Sequence, residues 1–277
     1  MIDLHTHSTF SDGTMTPEQL VKYAEKKDIE VIALTDHDTI DGVESFLAVD
    51  SPVERVAGVE ISVSYSPGTF HMVGLFIDHT NPFLLSVLEK MKKDRRVRNK
   101  RLLEMVGKLV GRTISEYDIS LDNDGELGRP HIAKFLVKEG FAVNINDAFT
   151  KYLGENGEFF IEKERLDFHG GVQAIHEAGG VAILAHPLTL DVDEEKYSPF
   201  IKYLKSLGLD GIEVWCSDTP AEKFSMFETI AKEHDMLVSG GSDFHGDINL
   251  RVGLGTGKGS MNIPYSVYSE LKKKASR

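Results

Sequence analysis

The chain has 277 residues, is 41% hydrophobic and 27% charged, and carries a formal net charge of −13. That length and apolar content suit one large α/β domain, or a domain with an insertion, and exclude a disordered chain. The acidic balance disfavours broad nonspecific nucleic-acid binding but leaves room for a local basic pocket. The single cysteine, Cys216, excludes an internal disulfide framework and fits a reducing compartment. The first residues show no signal peptide, and no apolar run approaches the ~20 residues of a membrane span. A cytoplasmic protein with no membrane partner is therefore expected.

In chain order, Thr16-Pro-Glu-Gln19 reads as a helix start: Thr16 caps, Pro17 takes the first turn and Gln19 closes a capping box. Val31 to Leu34 reads as a strand, as does Phe70 to Ile77, with an apolar run from Arg55 to Val59 between them. The strand rhythm stops from Asn81 to about Arg165. Pro82 to Val110 reads as one long helix, with shorter helices over Pro130 to Lys138 and Ile145 to Tyr152. The alternation then resumes. Strands are expected at Val181 to Leu184, Gly211 to Val214 and Met236 to Val238, and helices over 170–178, 194–206, 219–234 and 264–274. Short apolar runs alternating with amphipathic stretches indicate βαβ units and a parallel sheet. We expect an α/β barrel built from residues 1–80 and 166–277, with a helical insertion over 81–165 that forms part of the substrate cleft.

The ends of the apolar runs carry the chemistry. His5 and His7 follow Ile2-Asp3-Leu4, and alternate side chains of an extended segment face one way, so the pair can share one ion. Asp12 comes shortly after. His37 follows the second strand within Asp36-His37-Asp38, Glu60 follows the run to Val59, and His71 opens the next strand. His186 follows the run to Ala185, and Asp243 and His245 follow Leu237-Val-Ser-Gly-Gly. Taken singly, each has a plain reading, such as a helix cap at Asp243 or a hydrogen-bonded core histidine at His186. Together they place His, Asp and Glu on the face where α/β barrels keep their active sites. Mixed imidazole and carboxylate ligands suit Zn, Mn or Fe, and their number exceeds what one ion needs. Two or three divalent ions are expected, a grouping that clamps phosphate esters. His79, His169, His176 and His234 lack this context and read as surface or packing residues.

At these residues the sequence resembles the PHP (polymerase and histidinol phosphatase) family. The motifs are His5-Thr-His7-Ser-Thr-Phe-Ser-Asp12-Gly13, Leu34-Thr-Asp-His37-Asp38, Gly58-Val-Glu60, His71, Ala185-His186-Pro187 and Gly241-Ser-Asp243-Phe-His245. The resemblance implies a distorted (β/α)7, TIM-like barrel with a trinuclear metal centre. It implies a first ion on His5, His7, Glu60 and Asp243, and a second on Glu60, His71 and His186. It implies a third on Asp12, His37 and His245. Many relatives have a histidine where this chain has Asp12; the harder carboxylate suits Mn or Mg at that site. The resemblance is greatest to a subgroup with a helical insertion. Its members act on nucleoside 3′,5′-bisphosphates, AMP-like monophosphates or short oligoribonucleotide ends.

Gly128-Arg129-Pro130-His131-Ile-Ala-Lys134 opens a predicted helix, and a helix N-terminus beside an arginine is a ready anion site. Arg129 can grip a phosphate bidentately, and His131 and Lys134 are further substrate candidates. The run from Lys90 to Arg101 holds eight Lys or Arg and one Asp and reads first as a solvated helix face, with Arg98 and Asn99 as weaker substrate candidates. Arg165 and Lys163 are further cations without a motif. The expected reaction is direct hydrolysis by a metal-bridging hydroxide. Glu60, Asp243 and His131 are the candidate catalytic residues, the last as general acid. The competing readings are an L-histidinol-phosphate phosphatase, a carbon–nitrogen amidohydrolase and a non-catalytic metal-stabilised module.

Overall fold

Seven strands follow one another around a single sheet in chain order. They are β1 (Ile2–Asp3), β2 (Val31–Leu34), β3 (Glu54–Val63), β4 (Phe70–Leu75), β5 (Val181–Leu184), β6 (Gly211–Cys216) and β7 (Leu237–Gly241). This is a computed structural model, and it describes residues 1–119, 127–162, 165–259 and 261–276. The last strand returns to the first: Leu4 N donates to Gly240 O at 3.1 Å, and Thr6 pairs with Phe244. The sheet is thus a nearly closed barrel. A Cβ added at Gly241 would lie 2.3 Å from His5 Cβ, so only glycine permits this close approach.

Every residue of β2 and β5 is buried. Such unbroken apolar runs belong to strands covered on both faces. The outer cover comes from α1 (Pro17–Lys26), α2 (Val43–Ala48), α6 (Phe168–Glu177), α7 (Tyr197–Ser206), α8 (Phe224–Glu233) and α9 (Tyr265–Ala275). The capping box at Thr16 and Gln19 forms as the sequence indicates.

One strand breaks the parallel pattern. β4 runs antiparallel to both β3 and β5. Its first residues therefore lie on the face where the parallel strands end, which is why His71 acts from the start of a strand. β3 also differs from expectation: it continues three residues past Glu60, so Glu60 lies within a strand rather than at its end.

Helix α3 (Pro82–Val110) follows β4 and is 29 residues long, with the bounds read from the sequence. Leu84, Leu88 and Met91 pack into the barrel core, whereas Leu102, Leu103 and Val106 pack into a second apolar cluster. Ile132 and Leu136 of α4 (Arg129–Lys138), Ala148 of α5 (Ile145–Ala148) and Phe159 are among the other members of that second cluster. Between the two clusters the inward stripe of α3 becomes polar. Lys92, Arg95, Arg98 and Asn99 are 4%, 9%, 7% and 1% exposed. This corrects the solvated-face reading of Lys90 to Arg101, which holds only for the outward residues such as Lys93 and Lys100. Compensation makes the burial possible: Lys92 binds Asp41 at 2.7 and 2.6 Å, and Arg95 pairs with Asp38. No helix among the described residues is long and apolar enough to cross a membrane.

Candidate metal centre

Buried carboxylates hold the loops that carry the ligand candidates. Asp36 accepts from Ser8 N at 2.7 Å and from the Ser8 and Ser11 hydroxyls at 2.6 Å each, which folds the segment between His7 and Asp12. Gly13 turns that segment, because a Cβ there would sit 2.4 Å from His7 O. Asp3 accepts from Ser242 N at 2.8 Å and Gly255 N at 2.7 Å, and so ties β1 to the loop bearing Asp243 and His245. Burial pushes Asp3 up to about 6 against these hydrogen bonds. Asp38, His186 and Asp243 have φ of 53°, 27° and 55°, a conformation rare for residues with a Cβ. Such strain clusters at functional sites.

Glu60 is the centre of the cluster. Its Oε2 lies 3.3 Å from the Nε2 atoms of His5 and His7 and 2.8 Å from His37 Nδ1. Its Oε1 lies 2.9 Å from His71 Nδ1 and 2.9 Å from His186 Nε2. Five imidazoles thus surround one buried carboxylate, divided between its two oxygens. Asp243 Oδ1 lies 3.0 Å from His7 Nε2, and Asp12 Oδ1 lies 3.2 Å from His245 Nε2.

Three sets of donor atoms, each within 4.8 Å of one another, could hold a metal ion: His5, His7, Glu60 and Asp243; His37, Glu60 and His71; and His7, Asp12, His37 and His245. The first set is the one the resemblance implied. The second has His37 in place of His186, whose Nε2 faces Glu60 Oε1 but joins none of the three sets. The third gains His7. The donors fit divalent cations. Among the described residues, the buried Nε2 atoms of His5 and His7, Asp12 Oδ1, Glu60 Oε2 and His71 Nδ1 have no aligned hydrogen-bond partner. Buried polar atoms are rarely left so, and mixed nitrogen and oxygen donors are what first-row divalent ions take.

The charges agree. Burial raises the pKa of every carboxylate here, yet His37, His71 and His5 hold Glu60 well below the usual range. Histidines do the same for Asp12 and Asp243. Burial lowers His245, but Asp12 and Asp243 carry it up to about 10. His71 goes the other way: burial takes it down to about 4, leaving the ring neutral with a free lone pair. Protons on imidazoles thus balance the carboxylates, and metal binding displaces such protons.

A residue outside the sequence motifs completes the cluster. Glu213, buried in β6, faces His5 Nδ1 at 2.8 Å through Oε1 and accepts from His186 N at 2.7 Å through Oε2. The one sequence signal for it is a glutamate inside the apolar run Gly211-Ile-Glu-Val-Trp.

A cavity of about 180 Å³ joins the cluster to the insertion. Asp12, His37 and His71 line one side, and Arg95, Arg98 and Arg129 the other. Arg98 Nη2 donates to Asn99 Oδ1 at 2.9 Å, and Arg129 Nη1 donates to Leu153 O at 3.1 Å. Among the described residues neither guanidinium is paired with a carboxylate. Burial, then Arg129 and Arg95, push Arg98 down to about 9; burial and Arg165 lower Arg129. Arg95 went unnoticed in the sequence because nothing distinguishes it from its basic neighbours. His131 and Lys134 line a different cavity of about 510 Å³, which meets the first at Asp12. His131 Nδ1 accepts from Gly128 N at 2.9 Å, capping α4. Lys163 lies outside the described residues. His176 and His234 bind Asp210 at 2.7 Å and Ser198 at 2.8 Å, away from the cluster.

Comparison with known proteins identifies the family. The PHP domain family matches residues 3–165, which contain the ligand candidates from His5 to His71. A 5′-3′ exoribonuclease of Haemophilus influenzae is 38% identical over 88% of this chain and 89% of its own length. A 3′,5′-nucleoside bisphosphate phosphatase of Chromobacterium violaceum is 31% identical over 88% of this chain and 87% of its own. A solved structure from Bifidobacterium adolescentis, provisionally described as a metal-dependent phosphoesterase, superposes with a TM-score of 0.85 at 30% identity, covering 99% of this chain and 96% of that one. With the barrel and its cluster, these matches establish that the chain belongs to the PHP domain family.

Proposed function

We propose that this chain, a metal-dependent phosphoesterase, hydrolyses nucleotide phosphate esters: nucleoside 3′,5′-bisphosphates, AMP-like monophosphates or the ends of short oligoribonucleotides. The observation that carries the reading is the junction, in one cavity, of three ligand candidates with three arginines. A carboxylate–imidazole cluster alone suits many hydrolyses. Arg98, buried, and Arg129, half-buried, crowd other arginines and form no carboxylate ion pair among the described residues, an arrangement that calls for an anionic ligand. A substrate with two phosphates satisfies both halves of the cavity, with the reacting phosphate at the cluster and the second at the arginines.

His5, His7, Asp12, His37, Glu60, His71, His186, Asp243 and His245 would hold two or three divalent ions, Mn, Zn or Fe, with Mg suited to the group containing Asp12. When bound, these ions supply an activated water and neutralise charge on the phosphoryl oxygens. The chain's own residues position the reaction. Glu60 turns Oε2 toward His5, His7 and His37 and Oε1 toward His71 and His186, and so holds these rings in register. Arg98 and Arg129 bind non-bridging oxygens, with Asn99 fixing the plane of Arg98. The Asp243 side chain is 29% exposed where that of Glu60 is sealed, so Asp243 is the carboxylate placed to take a proton from the attacking water. His131, with Nδ1 accepting from Gly128, carries its proton on Nε2 and is the candidate donor to the leaving oxygen.

The test is a phosphate-release screen of Mn-loaded protein across nucleoside bisphosphates, monophosphates, short RNA and histidinol phosphate. Nucleotides are expected to lead; a preference for histidinol phosphate over every nucleotide would overturn the reading.

A further inference from the structure

We propose that the insertion, through Lys92 and Arg95, clamps the loop bearing His37 in its ligating position, so that α3 is a working part of the metal centre although it carries none of the ligand candidates. This role rests on His37 as a metal ligand, as in the reading above, and is independent of which ester is cleaved.

The loop runs from the end of β2 at Leu34 to the start of α2 at Val43. One side of it is tied to β3: Asp38 N donates to Glu60 O at 2.9 Å, and Glu60 N donates to Asp36 O at 3.2 Å. Another side meets α3. Arg95 pairs with Asp38, and its Nη2 also reaches His37 O at 3.5 Å. Lys92 donates to both oxygens of Asp41. Lys92 and Arg95 stand at i and i+3, so one face of the helix meets both acids.

These pairs do more than compensate for burial. Asp38 holds a φ of 53°, which a residue with a Cβ keeps only where its surroundings dictate it. Those surroundings are Ser62, donating from N at 2.8 Å and from Oγ at 3.1 Å, and Arg95. The residue so fixed is the one that follows His37. The Asp41 side chain is 49% exposed, and water would solvate it without Lys92. The buried lysine gives up its own hydration and thereby fixes where Asp41 stands. His37 belongs to two of the three donor sets, whereas the set of His5, His7, Glu60 and Asp243 does without it. Release of the clamp should therefore act on some ions and not on others.

Calorimetric Mn²⁺ titration of wild type, Lys92→Met, Arg95→Met and Arg95→Met/Asp38→Asn tests the proposal, with thermal melting as the check on folding. Charge alone predicts the opposite sign, because removing a cation beside a cation site should tighten Mn²⁺ binding. Loss of the clamp is instead expected to weaken binding by about 10–100-fold in Arg95→Met and about tenfold in Lys92→Met. The ion on His5, His7, Glu60 and Asp243 should be retained in each. Arg95→Lys, which keeps a donor toward Asp38, should recover most of the affinity. Arg95→Met strands the buried Asp38 charge. The double variant removes both charges, and Asn tolerates the left-handed backbone, so it gives the answer if the single variant does not fold. Unchanged or tighter Mn²⁺ binding in folded Lys92→Met and in the folded double variant would overturn the inference, as would equal weakening of every ion. If wild type binds no Mn²⁺, the metal reading falls with it; if wild type binds and the variants match it, this inference alone falls.

Discussion

Glu213 grips His5 and His186 at once, one carboxylate oxygen on the His5 ring and the other on the His186 amide. Because His5 Nδ1 is engaged, its Nε2 is the nitrogen turned toward Glu60 and Asp243. Residues that orient a ligating imidazole typically contribute about 10–100-fold in metal affinity. Glu213→Ala is expected to weaken Mn²⁺ binding by that amount in calorimetric titration. Glu213→Gln, which keeps one acceptor, should fall between. Unchanged affinity in the alanine variant would show that Glu213 only fills space.

Glu60→Ala removes the carboxylate shared by two of the three donor sets. Turnover should fall by about 10³-fold or more even in saturating Mn²⁺, because the charge lost lies at the reacting centre. Near-normal turnover in metal-replete Glu60→Ala would refute the assignment of this residue.

Asp12→Ala should act more locally. Asp12 belongs to one donor set only, with His7, His37 and His245. Metal analysis should find one fewer ion per chain, with the ions at Glu60 retained. Loss of all metal would mean that the three sets do not fill separately.

Arg98 opposes stability in the absence of a ligand. Its folded-state pKa is depressed by burial and by Arg129 and Arg95, so its charge costs free energy wherever it is protonated. The unfolded chain binds the proton more tightly. The cost is therefore fully present below about 9 and is relieved as pH rises above that value. At neutral pH, Arg98→Met should raise the apoprotein Tm by about 2–4 °C per kcal/mol relieved. The same change should remove stabilisation by inorganic phosphate and raise KM for a nucleoside bisphosphate by roughly tenfold. A lower Tm would mean that Arg98 is structural.

Gly241→Ala tests barrel closure. The new methyl would meet the backbone N and Cβ of His5, both at 2.3 Å. Neither can swing away as a flexible side chain would, so β1 must shift from β7. Denaturant unfolding should show a loss of about 1–3 kcal/mol, with weaker metal binding because His5 moves.

Much of the candidate site was legible because the residue types that suit metal ligation stand out against apolar strands. His5, His7, His37 and Asp243 each follow such a run, and all of them reach the cluster. Glu60 was legible as a residue but not as a position, since nothing marks β3 as continuing to Val63. Glu213 was hidden because a lone glutamate in a strand has no spacing partner. The division of Lys90 to Arg101 into buried and exposed cations was hidden too. It depends on Asp38 and Asp41, which meet α3 only in the folded chain. His131 and Lys134 were read with Arg129 from one helix start, but the turn of α4 sends them into separate cavities.

The reversed strand β4 fixes where the insertion can act. It delivers the chain to the bottom of the barrel, and α3 must climb back, its 29 residues spanning about 43 Å at ~1.5 Å each. The helix therefore serves as a ruler, and its lower half sets how high Arg95 and Arg98 stand above Glu60. Deleting one turn below Met91 would lower the arginines by about 5.4 Å onto the ligands, and adding one would lift them out of reach of a bound phosphate. The height at which Arg95 and Arg98 stand over the cluster is written in the length of a helix that carries none of the metal-ligand candidates.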